Sequence, residues 1–418
     1  MSGVSTWRVP GRVEVLGKHT DYGGGRVLVC AVERSVTVTA RAIPPTAAGA
    51  ASGGVIDASS DHYPDPVRLS AHQPCTLPSG HWGHYVQTVI DRLTSNFGPL
   101  GSARLTISSD LPPASGMSSS SALLTGVMLT LADLNDLPVR EEWTASIHDR
   151  LDLAGYAASI ENGKSFRALQ GHPGVGTSGG SLDHTGMLTS APGRLSYVEF
   201  DPARILSQVA LPPEYSLVIG VSGVLAEKTG SARDLYNRGP RTLAAILERW
   251  NAEQGRSDAS LHAAVRSLGV DGAPPGQLAL DRRLTPLMAA AEPGYPTRRL
   301  TQFLMESTVL VPAAAQALST RNIARFGDIV ARSQALATTH LENQVPHTTA
   351  LVRLALAMGA PAASAFGAGF GGSVWALVPT ADAPAFATAW LAAYTRRFTA
   401  PGASTIVTRP GAAAERLG

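Results

Sequence analysis

The stretch Asp110-Leu-Pro-Pro-Ala-Ser-Gly-Met-Ser-Ser-Ser-Ser-Ala-Leu124 decides how this chain is read. Ala103 to Ser108 before it has the composition of a strand, and Leu123, Val127, Leu131 and Leu134 after it recur at helical spacing. A polar turn therefore leads directly into an apolar helix. Gly116 lets the backbone come close to a ligand, and the serines can cap the free N–H groups of the first helical turn. Exposed amides and the helix dipole make such an end an anion site, and the hydroxyls of Ser118 to Ser121 could hold a divalent cation beside a phosphate. Read alone, the stretch also suits a well-capped core helix.

Composition narrows the partners. A chain of 418 residues is long for one core and predicts two domains. With 44% hydrophobic residues and a net charge of +2, it has the balance of a globular protein. Its basic residues are scattered without runs, so nothing points to nucleic acid or an anionic membrane. Small molecules are the expected partners. No charged-then-apolar leader opens the chain, and no apolar run approaches the roughly 18 residues of a membrane span. Cys30 and Cys75 are the only cysteines and show no zinc or disulfide spacing, which suits a reducing cytoplasm. Among 34 basic residues only Lys18, Lys164 and Lys228 are lysines, so each lysine calls for a reason.

Near the start, Val13 and Val15 alternate as in a strand, and Val27 to Ile43 reads as another. Arg12 on the first and Lys18, His19 and Asp21 between the two crowd beside Gly23, Gly24 and Gly25, which suits the seat of a hydroxyl-rich ligand; a surface hairpin is the alternative. Residues 44–64 read as an exposed connection. Trp82, Tyr85, Val86, Val89, Ile90 and Leu93 mark the core face of one helix, and the pattern from Glu141 to Ile160 predicts a second. Gly163-Lys-Ser165 ends like a P-loop, but Ala158 stands where the first glycine belongs and a helix precedes it, so that reading fails. Glu161 closes its helix before the loop Gln170 to His184, which carries Gly180 and delivers Asp183 and His184.

Pro212-Pro213 marks a domain boundary before the strand Ser216 to Val221, dividing the chain into residues 1–205 and 206–418. Ser222 to Gly230 resembles a phosphate loop but has Glu227 where a glycine is needed, leaving it as a possible substrate loop. Residues 252–280 lack periodicity, and Ala-rich amphipathic helices follow Thr297. Gly367 to Gly372 spells GxGxxG, yet Ser373 to Val378 reads as a strand where a dinucleotide fold needs a helix, so this is a glycine turn between strands.

Three stretches resemble the GHMP kinases in the same order. Pro10-Gly-Arg-Val and Gly17-Lys-His-Thr-Asp-Tyr-Gly-Gly24 resemble the galactokinase signature. Pro113 to Ser120 is similar to the family's nucleotide motif, and Gly367 to Gly372 to its third motif. The resemblance implies an α+β fold of two domains, ribosomal-S5-like then ferredoxin-like, with ATP and Mg²⁺ between them. It implies a sugar 1-kinase that phosphorylates an anomeric hydroxyl, with Asp183 as base and Arg12 as its partner. It places the sugar against Lys18, His19, Asp21, Tyr22 and Gly180. ATP would meet Pro113, Gly116, Ser118, Ser119, Ser120, Ser121, Gly369 and Gly371, and Mg²⁺ would meet Ser120 and Glu161. His184 is expected to pack rather than to react.

The chain departs from galactokinases at Lys18, where they carry Glu, and at Glu14, where they carry Asn. The sugar is therefore left open, and a C6 carboxylate facing Lys18 is one expectation; pairing of Lys18 with loop carboxylates is its alternative. A catalytically weak sensor of sugar and nucleotide is the competing function.

Overall fold

A computed structural model describes residues 3–44, 54–71, 73, 75–78, 80–112, 115–224, 233–270 and 281–417. Pro113 and residues 225–230 of the Ser222–Gly230 stretch lie outside them, so those two expectations have no structural counterpart. Twelve strands are present among the described residues: β1 Val4–Leu16, β2 Arg26–Ala42, β3 Ile56–Ser60, β4 Val67–Leu69, β5 Ala103–Ser109, β6 Arg194–Glu199, β7 Arg204–Ala210, β8 Tyr215–Val221, β9 Ala362–Phe366, β10 Ser373–Pro379, β11 Ser404–Thr408 and β12 Glu415–Arg416.

The first sheet has eight strands, ordered β12-β1-β2-β5-β3-β4, with β6 on β2 and β7 on β6. The long β2 organises it: residues 26–29 pair with β6, residues 36–42 pair with β5, and β1 runs along the other edge. In β5 buried and exposed residues alternate, the pattern of a strand with one face on the core. The Ser119–Leu134 helix packs on β1 and β2, and its Gly126 lies so close that a Cβ there would stand 2.7 Å from Val38. The helix Gly83–Phe97 packs with it through Val86, Val89, Ile90 and Leu93, as its periodicity predicts.

The second sheet is antiparallel, ordered β11-β8-β10-β9, and carries helices Pro346–Ala357 and Ala383–Thr395. Trp390 anchors that layer: a Cβ at Gly220 would lie 2.8 Å from its ring, and its Nε1 donates to Leu351 O. The architecture is α+β, and Gly367 to Gly372 is a turn between antiparallel strands β9 and β10, both as the sequence implies. No helix among the described residues is long and apolar enough to cross a membrane.

Two expectations are corrected. The change of sheet falls between Ala210 and Tyr215, so a division at 205/206 would cut β7, which still pairs with β6 in the first sheet. The helix expected over Glu141–Ile160 is two helices, Glu141–Thr144 and Arg150–Asn162. Asp149 interrupts it: its backbone is extended, φ −148° and ψ −176°, and its carboxylate accepts from Asp152 N at 2.8 Å. An N-cap begins a helix and so ends whatever preceded it. Replacing Asp149 by Ala should cost about 0.5–2 kcal/mol, read as a lower urea midpoint; an unmoved midpoint would show that the cap does not set this boundary.

Candidate functional site

The site forms where the loop after β1 meets both domains. Three side chains from the helix Tyr295–Met305 and the π-turn that continues it fix that loop's backbone. Arg299, Gln302 and Glu306 are spaced i, i+3, i+7 and so share one face. Arg299 donates to His19 O, Gln302 donates to Lys18 O at 3.0 Å, and Glu306 accepts from Gly17 N at 2.9 Å. All three are fully buried. His19 takes a left-handed backbone, φ 57°, and its Nε2 lies 3.2 Å from Ala368 O in the turn between β9 and β10. Tyr22 continues the chain of contacts, its hydroxyl lying 3.3 Å from His19 Nδ1 and accepting from Arg299 at 2.9 Å.

Arg12, 2% exposed, is the centre of the site. Its Nε donates to Asp183 Oδ1 at 2.8 Å, its Nη2 lies 2.7 Å from the same oxygen, and its Nη1 donates to Gly116 O at 2.6 Å. Burial pulls its pKa down, but the charges of Asp183 and Glu14 outweigh that and hold it above the ordinary value. Asp183 sits in the first turn of the helix Leu182–Thr189, and its other oxygen accepts from Ser118 Oγ at 2.6 Å. The expected base and its arginine partner are thus brought together, with the serine run touching both Asp183 and Glu161.

The serines do not cap the helix as expected. Ser118, at the N-cap, has φ 57° and makes no side-chain cap bond. Its left-handed backbone turns its hydroxyl to Asp183, and this leaves the amides of the helix start free of side-chain caps. Ser121, rather than the expected Ser120, donates to Glu161 Oε2 at 2.7 Å. One residue rotates a helical side chain by about 100°, so where the helix starts decides which serine faces Glu161. His184 Nε2 lies 3.3 Å from the same Glu161 oxygen, a packing role that orients the carboxylate. Glu161 and Ser121 together offer hard oxygens at close range, and Mg²⁺ needs only one or two protein ligands when phosphates and waters complete its shell. The residues present fit that ion.

These groups open on a cavity continuous with solvent. Arg12, Glu14, His19, Asp21, Tyr22, Glu161, Gly180 and Asp183 line it, together with Tyr236, which sequence reasoning did not single out. Tyr236 belongs to a helix more than 200 residues beyond β1 and carries no local motif, so only the tertiary fold shows it. Gly180 is required by contact: a Cβ there would lie 2.3 Å from Asp21 Oδ2, which accepts from Leu182 N at 3.1 Å. Burial raises the Asp21 pKa above the ordinary carboxylate value.

From the glycine turn, Gly367 and Ala368 line the cavity, whereas Gly369 and Gly371 do not. Gly369 is pressed on Asn343, 2.5 Å from where its Cβ would be. The turn also meets the first motif: a Cβ at Gly367 would stand 2.7 Å from Gly116 O, and Ser373 Oγ donates to Ser115 O at 2.5 Å. The two glycine segments expected to share ATP are therefore in contact.

Lys18 corrects the expectation that it faces the sugar. It is 2% exposed, does not line the cavity, and its Nζ donates to Ser333 at 3.1 Å and Ser364 at 2.7 Å. Ser333 in turn donates to Glu306 at 2.7 Å. The ammonium is thus committed to a buried relay in the second domain, and burial lowers its pKa against the pull of Glu306 and Glu14. No ammonium waits there for a C6 carboxylate.

Glu14 makes stability depend on pH. Burial pushes its carboxyl up to about 8, although Arg12 and Lys18 pull it down. A carboxyl raised on folding contributes most to stability below its unfolded pKa of about 4.3 and loses that contribution as pH rises through about 8. Glu14→Gln, which cannot ionise, should therefore melt above wild type at pH 9, with the gap closing toward pH 5. Thermal melts across that range check it; a gap that grows on acidification would contradict the assignment.

Known proteins resemble the chain along most of its length. Residues 2–42 match the galactokinase galactose-binding signature, 84–168 the GHMP kinases N-terminal domain and 314–396 the GHMP kinases C-terminal domain. The galactokinase of Mycobacterium tuberculosis H37Rv is 29% identical over 409 residues, covering 98% of each chain. That of Chloroflexus aurantiacus is 27% identical over 395 residues, covering 93% of this chain and 88% of the relative. The crystal structure of Lactococcus lactis galactokinase complexed with galactose superposes with a TM-score of 0.77 at 22% identity, covering 99% of this chain and 95% of that one. L. major mevalonate kinase in complex with R-mevalonate shares the fold at a TM-score of 0.58 and 15% identity, covering 99% of both. With its cavity built on the Arg12–Asp183 pair and its two glycine segments in contact, the chain belongs to the GHMP kinase family, in the two-domain fold of that family and with the galactokinase signature at its N-terminal end.

Proposed function

We propose that this protein transfers the γ-phosphoryl group of ATP to the anomeric hydroxyl of a neutral monosaccharide, galactose or a close relative. The observation that carries the reading is Asp183, held between Arg12 and Ser118 at the edge of a cavity lined by hydrogen-bonding side chains. Asp183 would orient the sugar hydroxyl and take its proton, and Arg12 would offset charge spreading over the transferred group. Asp21 and His19 would accept from or donate to ring hydroxyls. Positioning and electrostatics supply most of the rate in such reactions.

The uncapped start of the Ser119–Leu134 helix, beside Gly116 and Gly367, suits the phosphates of ATP. Glu161 and Ser121 would hold Mg²⁺, which supplies charge neutralisation for the phosphates when bound. Free Cys30 and Cys75 suit a reducing compartment such as the cytoplasm. No observation favours the sensor reading, since sugar binding alone has no use for a positioned base.

Wild-type protein should turn over galactose with ATP, and Asp183→Asn should lower kcat by about 10²–10⁴ while ATP still binds. Coupled-assay kinetics with a nucleotide titration measure both, and full turnover by Asp183→Asn would remove it as base. Ser121→Ala and Glu161→Gln should each raise the magnesium concentration giving half-maximal rate, whereas Ser120→Ala should leave it unchanged. The reverse ranking of the two serines would return the metal to Ser120.

A further inference from the structure

Glu14 lies two residues beyond Arg12 on β1, so the alternation of a strand puts both side chains on one face. That face looks into the cavity, and both residues line it with Asp21, Asp183 and Tyr236. Glu14 is 4% exposed, yet its Oε1 has no hydrogen-bond partner among the described residues. Buried polar atoms are nearly always satisfied, and one left open on a ligand cavity marks a place where the ligand supplies the partner. Its neighbours do not fill that role. Arg12 spends its guanidinium on Asp183 and Gly116 O, and Lys18 spends its ammonium on Ser333 and Ser364.

We infer that Glu14 is a specificity-determining residue that hydrogen-bonds a ring hydroxyl of the neutral sugar bound in this cavity. The inference rests on the sugar-kinase reading and assigns one of its contacts. The groups acting on Glu14 are Arg12 and Lys18, which favour its charge, and Asp21 and Glu306, which oppose it. Burial outweighs the two cations and holds the carboxyl up at about 8, so near neutrality the acid form prevails. A carboxylic acid donates through its O–H and accepts through its carbonyl oxygen. A sugar hydroxyl offers the same two roles, and the pair matches without leaving a charge buried against an apolar C–H.

The test is initial-rate kinetics of wild type, Glu14→Ala, Glu14→Leu and Glu14→Gln on galactose and on the series of monodeoxygalactoses, with ATP varied separately. Glu14→Ala should raise the galactose KM by about 5- to 100-fold, the span of neutral to charge-assisted hydrogen bonds, and leave the ATP KM unchanged. Glu14→Leu, which keeps the side chain's bulk, should do the same, so the outcome survives a poorly folding Ala variant. Glu14→Gln, with both a donor and an acceptor, should recover most of the loss. Wild type should discriminate against one particular deoxy sugar that the Ala and Leu variants no longer penalise. Equal losses on every sugar, or an unmoved galactose KM, would overturn the assignment of Glu14 alone. A wild-type enzyme that phosphorylates no monosaccharide would overturn both this inference and the function on which it rests.

Discussion

The site depends on a backbone being held from behind. Gly17, Lys18 and His19 follow a strand of the first sheet, but their amides and carbonyls are satisfied by Arg299, Gln302 and Glu306, which share one helical face 280 or more residues further along the chain. Buried backbone groups that lack a ladder partner must find another, and here a single helical face supplies it. The loop cannot shift without breaking several buried hydrogen bonds at once. This is why the cavity walls contributed by His19, Asp21 and Tyr22 have a defined position relative to Asp183, which lies on a different element. The arrangement also uses up Lys18, whose ammonium closes the relay through Ser333 to Glu306.

Arg12 is a second instance of the same logic, with charge in place of backbone. Burying a guanidinium is costly unless it is paired and its donors are satisfied. Asp183 and Gly116 O do both, so one side chain ties the strand β1, the turn before the Ser119–Leu134 helix and the helix carrying Asp183. The cavity is consequently rich in carboxyls, with Glu14, Asp21, Glu161 and Asp183 around a single arginine. Such a wall suits a ligand that donates many hydrogen bonds and carries no negative charge of its own.

Much of this was legible in the sequence wherever chemistry and neighbourhood coincide along the chain. The strand, glycine turn and apolar helix from Ala103 to Leu134 are local, and the pairing of Arg12 with Asp183 followed from motifs that matched a family in order. What was not legible depends on helical phase or on long-range packing. Ser118 adopts a left-handed backbone, which sets where the helix begins and so puts Ser121 rather than Ser120 on Glu161. Composition in a run of four serines has no means of showing that. The direction of Lys18 is set by partners more than 300 residues away, at Ser333 and Ser364. Asp149 falls inside the helical pattern from Glu141 to Ile160, which has no gap to show that its side chain starts a new helix there.

The pairing of β12 with β1 has a consequence for how the molecule is made. Residues Trp7 and Arg8 of the opening strand find their partners in Arg416 and Glu415, after the whole of the second sheet has been traced. A ribosome releases the first domain's elements long before that cover exists, since domains fold in order of synthesis. During that interval the outer margin of β1 presents unpaired amides and carbonyls, the kind of margin that invites pairing with another chain. Arg8 places charge on that margin, its guanidinium donating to Glu33 O. A nascent first domain thus carries its own deterrent to association while it waits for its last strand.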